Sequence, residues 1–210
     1  MNATSALLVI DVQNCFIPGG TQAVPQGDEV VPIINVLAGQ FANVILTQDW
    51  HPAAHTSFAS SHPGKAPFET TTLPYGEQVL WPDHAIQGSR DAEFHPDLNI
   101  PHAQLILRKG YHPGIDSYSA FQEADRSTNT GLAAYLRARG ITTLYLAGLA
   151  TDFCVLWSAL DACAAGFDTI VMADACWGID LEGSLAAAWL SMEAAGVRRM
   201  TLDDLLQDAT

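Results

Sequence analysis

The sequence predicts an α/β domain, a three-layer α/β/α arrangement around a six-stranded, mainly parallel sheet. Short β-rich apolar runs alternate along the chain with longer helical patterns, and the first run stops abruptly at a charged residue. Strand and helix in alternation require crossover connections, which produce parallel strands covered on both faces. A chain of 210 residues with 49% apolar composition can bury one substantial core, so residues 1–210 read as a single domain.

Ala6 to Ile10 is the first strand, apolar at every position and therefore buried on both faces. Similar runs follow at Asn43 to Thr47, Gln104 to Leu107, Thr142 to Ala147 and Thr169 to Met172, with a weaker one at Val197 to Thr201. Helical patterns lie at Asp28 to Phe41, Thr130 to Arg139, Thr151 to Ala165 and Leu181 to Ala195. Gly140, Gly166 and Gly196 stand where three of these should stop. From Asp49 to Pro101 the chain is rich in Pro, His, Thr and Gly and shows neither period, so it reads as a long functional loop. Ligands of open α/β sheets bind beyond the carboxyl ends of the strands, which is where chemistry should gather.

A net charge of −14 and a pI near 4.5 repel phosphate backbones and anionic lipid, which argues against nucleic acid and membrane partners. The apolar runs are far shorter than the roughly 20 residues of a membrane span, and Met1 to Ser5 has no cation to open a secretory signal. Cys15, Cys154, Cys163 and Cys176 show no CxxC pairing and read as free thiols in a cytoplasmic protein. Acid-rich segments such as 202–208 suit a solvated end or the rim of a homo-oligomer equally.

The strand ends carry the chemistry. Asp11 and Gln13 follow the first run, Asp49 and His51 the second, Lys109 the third, and Gly148 to Cys154 the fourth. Each has an ordinary reading taken alone: a turn carboxylate, a solvated strand end, a small buried hydrophobe. Yet Lys109 is one of only two lysines, and Cys154 should fall in a helix's first turn, with Thr151 or Asp152 as N-cap. Unpaired N–H groups there favour a thiolate and can hold an oxyanion. Thiol, carboxylate and ammonium together suit acyl transfer. Asp49 and His51, two apart on an extended segment, point the same way and can share a metal, with His84 closing the set. An isolated pair of this kind is a weak signal, and loop histidines such as His62, His95 and His102 read as solvated.

Taken together, Ala6-Leu-Leu-Val-Ile-Asp-Val-Gln-Asn-Cys-Phe16, Thr47-Gln-Asp-Trp-His-Pro52, Leu80-Trp-Pro-Asp-His84, Arg108-Lys-Gly110, Asp116-Ser-Tyr-Ser-Ala-Phe121 and Ala147-Gly-Leu-Ala-Thr-Asp-Phe-Cys-Val155 carry a resemblance along essentially the whole chain. The sequence resembles the nicotinamidases, a branch of the isochorismatase-like cysteine hydrolases. The resemblance implies the isochorismatase-like hydrolase fold and a catalytic triad of Asp11, Lys109 and Cys154. It also implies a divalent metal, zinc before iron or manganese, bound by Asp49, His51 and His84, with His55 as a candidate fourth ligand. A cis peptide at Leu149–Ala150 would turn the Ala150 and Cys154 N–H groups into an oxyanion hole, and Phe16, Trp81 and Tyr118 would wall a flat pocket. The implied reaction is hydrolysis of nicotinamide to nicotinate and ammonia in NAD salvage, with pyrazinamide as an analogue. The chain departs from many relatives in having Ala85 after His84 and Phe153 before the nucleophile. The alternative is a related cysteine amidohydrolase acting on another small amide or a carbamoyl compound.

Overall fold

The computed structural model describes residues 2–208. Its main sheet has six strands: β1 (Ser5–Ile10), β2 (Val44–Asp49), β5 (Leu105–Lys109), β6 (Thr143–Leu149), β7 (Asp168–Trp177) and β8 (Arg198–Met200). They lie in the order β5-β2-β1-β6-β7-β8, and every adjacent pair is parallel. Among the described residues no helix is long and apolar enough to cross a membrane.

β1 and β2 are buried at every position because helices cover both faces of the sheet. Leu7, Val9, Val44 and Leu46 pack on one side with Val30, Ile34 and Leu37 of α1 (Val30–Ala38). Leu8, Ile10 and Ile45 pack on the other with Leu132 and Leu136 of α2 (Leu132–Ala138), and with Ala159 and Ala162 of α3 (Leu156–Ala164). Met192 of α4 (Ser184–Ala194) joins that second cluster, and α5 (Leu202–Asp208) ends the described chain.

The long connection from β2 to β5 departs from the expectation of no regular structure. It contains a two-stranded antiparallel hairpin, β3 (Thr70–Leu73) and β4 (Gly76–Val79). Its strands are mostly exposed, so the residues carry no apolar alternation to announce it. β7 also runs past Met172 to Trp177, through a register shift against β6 between Leu146 and Gly148.

Along the sheet the chain moves outward from β1 through β2 to β5, then crosses back to β6 on the opposite side of β1. β1 and β6 therefore flank the point where strand order reverses, and a crevice opens beyond their carboxyl ends. Ile10 is in register with Gly148 there. A Cβ on Gly148 would lie 2.1 Å from the Ile10 carbonyl oxygen, so glycine lets the two strands meet at the lip of the crevice.

Candidate active site

Lys109 closes β5 in register with Asp49, which closes β2. Its Nζ lies 2.6 Å from Asp49 Oδ1, 2.9 Å from Asp11 Oδ2, 2.9 Å from the Ser117 carbonyl and 3.5 Å from Cys154 Sγ. Burial opposes its charge, but Asp11 and Asp49 more than offset that cost and hold its pKa well above the usual value. Lys109 is thus a fully buried ammonium at the centre of three strand ends.

Asp11, one residue past β1, adopts φ +50°. Thr47 Oγ1 donates to Asp11 Oδ1 at 2.6 Å and accepts the Asp11 N–H at 3.2 Å. Oδ2 faces the Lys109 ammonium at 2.9 Å and, with two lone pairs, can take a second proton donor. Burial raises the Asp11 carboxyl, with Asp49 adding to the effect and Lys109 resisting it. Burial likewise pushes the Cys154 thiol well up, reinforced by Asp11 and Asp49 and opposed by Lys109. The resting sulfur is therefore a thiol beside a carboxylate with a free lone pair.

Cys154 sits in a five-residue π turn, Thr151–Val155, that leads into α3. The expected caps are corrected here: Ala150 is the N-cap, and its carbonyl accepts the Phe153 and Val155 N–H groups at 3.1 Å each. Asp152 instead accepts from the Ile179 and Asp180 N–H groups and the Ser184 hydroxyl, fastening the turn to the start of α4. The Leu149–Ala150 peptide is cis.

On the far side of Asp49, His51 Nε2 and His84 Nε2 lie 3.5 and 3.7 Å from Oδ2, and all three side chains are buried. His51 Nδ1 donates to the Gly110 carbonyl and His84 Nδ1 to the Pro82 carbonyl, both at 2.8 Å. Carbonyls only accept, so the Nδ1 atoms carry protons and the two Nε2 atoms, turned to Asp49, are the ones available to a metal. Burial raises the Asp49 carboxyl, but Lys109 and His51 outweigh it and keep the group well below the usual carboxylate range. Two buried carboxylates share one buried ammonium, leaving excess negative charge that a cation would neutralise. Donor set and charge both fit a divalent metal with coordination positions open to solvent or substrate.

His55 stacks on His51 with ring centroids 4.3 Å apart, but its nitrogens are engaged elsewhere. Nε2 faces the His112 and Ile115 carbonyls at 2.9 and 3.1 Å, and Nδ1 faces the Ser57 hydroxyl at 2.7 Å. His62 and His102 bond to backbone carbonyls, and His95 accepts the Asp97 N–H.

The thiol and the Asp49, His51 and His84 set open onto one shared cavity. Phe16, Trp81 and Tyr118 all line it, as do Ala150, Phe153, Gln22 and Ile179. Phe153 meets Trp81 edge-on at 4.8 Å, completing an aromatic wall that the motifs did not assign. Gln13 was also missed as a support. Its amide brackets the Asp49 backbone, donating to the carbonyl at 2.9 Å and accepting the N–H at 2.8 Å. A polar residue three positions past a buried strand was the only signal.

A thiol, a carboxylate and a lysine at neighbouring carboxyl ends of a parallel sheet define the class as an α/β cysteine hydrolase. The chain belongs to the isochorismatase family: residues 5–204 match the isochorismatase domain. A nicotinamidase from Acinetobacter baylyi is 58% identical over 201 residues, covering 96% of this chain and 94% of that protein. The structure of a nicotinamidase/pyrazinamidase from Acinetobacter baumanii superposes with a TM-score of 0.96 at 63% identity, covering 97% of this chain and 99% of that one. A Pyrococcus horikoshii pyrazinamidase solved in complex with zinc has a TM-score of 0.78 at 32% identity, covering 95% of this chain and 99% of that one.

Proposed function

We propose that the protein is a nicotinamidase, an amidohydrolase that converts nicotinamide to nicotinate and ammonia through a thioester on Cys154 and so serves NAD salvage. The observation that carries this reading is the cluster of Asp11 and Lys109 with Cys154, which itself lines an aromatic cavity together with Asp49, His51 and His84. Strong similarity to nicotinamidases over nearly the whole chain supports it.

Asp11 is the proton carrier. Its free Oδ2 lone pair accepts the thiol proton as sulfur bonds to the carboxamide carbon, and the Ala150 and Cys154 N–H groups hold the oxyanion. Asp11 returns the proton to the amide nitrogen, the C–N bond breaks, ammonia leaves and a thioester remains. Water then adds to the thioester carbon while Asp11 takes its proton. Collapse breaks the C–S bond, sulfur recovers the proton from Asp11, and the acid formed loses its remaining proton to solvent and departs as nicotinate. Lys109 fixes Asp11 and Asp49 and stabilises the developing thiolate, the one form of Cys154 that burial disfavours. Phe16, Trp81 and Tyr118 hold the ring flat against the reacting atoms, and pyrazinamide, a ring of the same shape, is an expected second substrate.

Asp49, His51 and His84 would hold one divalent metal, zinc before iron or manganese. When bound, it would supply Lewis acidity beside the cavity for water or a heteroaromatic nitrogen. His55 lies against His51 with both its ring nitrogens hydrogen-bonded, so we leave it outside this ligand set. The four free thiols suit a reducing compartment, and the cytoplasm is where we place the protein.

Ammonia release from nicotinamide by wild type, Cys154→Ala and a chelator-stripped sample tests the reading. Turnover confined to wild type and restored to the stripped sample by zinc is the expected result. Turnover by Cys154→Ala would remove the thioester, and an inactive metal-loaded wild type would defeat the assignment.

A further inference from the structure

Gln78 is nearly buried, at 2% exposure, on the hairpin strand β4, whose other positions are exposed or half-buried. Its Nε2 lies 2.6 Å from Asp116 Oδ2, 2.7 Å from the Val79 carbonyl and 3.0 Å from the Tyr118 hydroxyl, while its Oε1 accepts from the Tyr75 hydroxyl at 2.9 Å. A carboxylate such as Asp116 accepts and does not donate, so the amide cannot be turned the other way; its two Nε2 protons are shared among three acceptors, and the Tyr118 hydroxyl takes the weakest part of a bifurcated bond and finds no acceptor there. Trp81 Nε1, which can only donate, approaches the same hydroxyl at 3.0 Å. Neither nitrogen can accept a proton from the phenol oxygen. Its own proton must find another acceptor, and Tyr118 lines the cavity that holds Cys154.

We propose that Gln78 is a positioning residue, acting through Tyr118: it turns the phenolic proton toward the ligand and so selects aromatic amides and acids that present a hydrogen-bond acceptor at that edge. This rests on the nicotinamidase reading. The hairpin, absent from the catalytic motifs, thereby sets the polarity of the pocket wall from behind.

The test is a double-mutant cycle of Gln78→Leu and Tyr118→Phe, read by kcat and KM for nicotinamide and by calorimetric binding of nicotinate, with metal content and Tm recorded for each protein. Each single change is expected to raise KM and the nicotinate Kd by about 3- to 10-fold, the range of one lost hydrogen bond, and to leave kcat within about twofold. The double variant should be no weaker than Tyr118→Phe alone. Additive losses, or a fall in kcat at unchanged KM, would overturn the role of Gln78. Should Gln78→Leu fail to fold, Tyr118→Phe decides alone, because an unchanged nicotinate Kd there leaves no proton for Gln78 to direct. Wild type that neither releases ammonia nor binds nicotinate overturns the nicotinamidase reading, and the role of Gln78 with it.

Discussion

Thr47 shows how much of the site rests on single atoms. Its hydroxyl holds one oxygen of Asp11 and accepts that residue's N–H, which leaves the other oxygen free for the thiol proton. Thr47→Val keeps the shape and loses both bonds, and kcat should fall by about tenfold, the worth of a charge-assisted hydrogen bond, with KM little changed. Gly110 matters through space: at φ +68°, a Cβ there would lie 2.5 Å from the His51 ring. Gly110→Ala should displace His51 and weaken zinc binding by about 10- to 100-fold, measurable by competition with a chelating dye. Lys109→Met strands two buried carboxylates, and chemical denaturation should show a loss of about 3–5 kcal/mol beside the loss of turnover. Asp11, Lys109 and Cys154 were legible in the sequence because each interrupts an apolar pattern at a strand end. Gln13 and Gln78 were not, since a buried amide is set by partners distant in the chain, 36 and 38 residues away.

At the scale of elements, site geometry is inherited from how β1 meets β6. Gly148→Ala would drive a methyl group against the Ile10 carbonyl, part the two strands and separate Asp11 from Cys154. A stability loss of about 3 kcal/mol is expected in urea unfolding, with activity falling further than the folded fraction does. The central strands were readable because burial on both faces leaves mostly apolar side chains along them, as in β1, whereas the edge strands β5 and β8 are partly exposed. The β3–β4 hairpin escaped because its residues are Thr, Glu, Gln and Gly on a largely exposed ribbon, where the period-2 signal has nothing to bury. The Thr151–Val155 turn escaped for a different reason. Its residues satisfy a helical pattern, and the wider π winding and the Ala150 cap depend on how the backbone leaves β6.

Across the whole molecule, a strongly acidic chain concentrates part of its charge inside, where Asp11 and Asp49 outnumber Lys109. A bound cation should therefore stabilise the fold as well as the chemistry. Removing it with a chelator is expected to lower Tm by about 5–10 °C, the shift for a domain of this size losing a ligand held near 100 times its Kd. Differential scanning calorimetry before and after zinc is returned checks this, and an unchanged Tm would show the charge to be balanced in another way. Trp81, which walls the ring cavity, and His84, which faces Asp49, stand on one four-residue stretch whose Pro82 carbonyl orients the imidazole. The two occupancies are consequently linked: whatever factor the cation adds to ring affinity, the ring adds to cation retention, by thermodynamic reciprocity. Where that factor exceeds one, nicotinate should raise the chelator concentration needed to strip zinc at equilibrium, making the product of one turnover a guardian of the enzyme's readiness for the next.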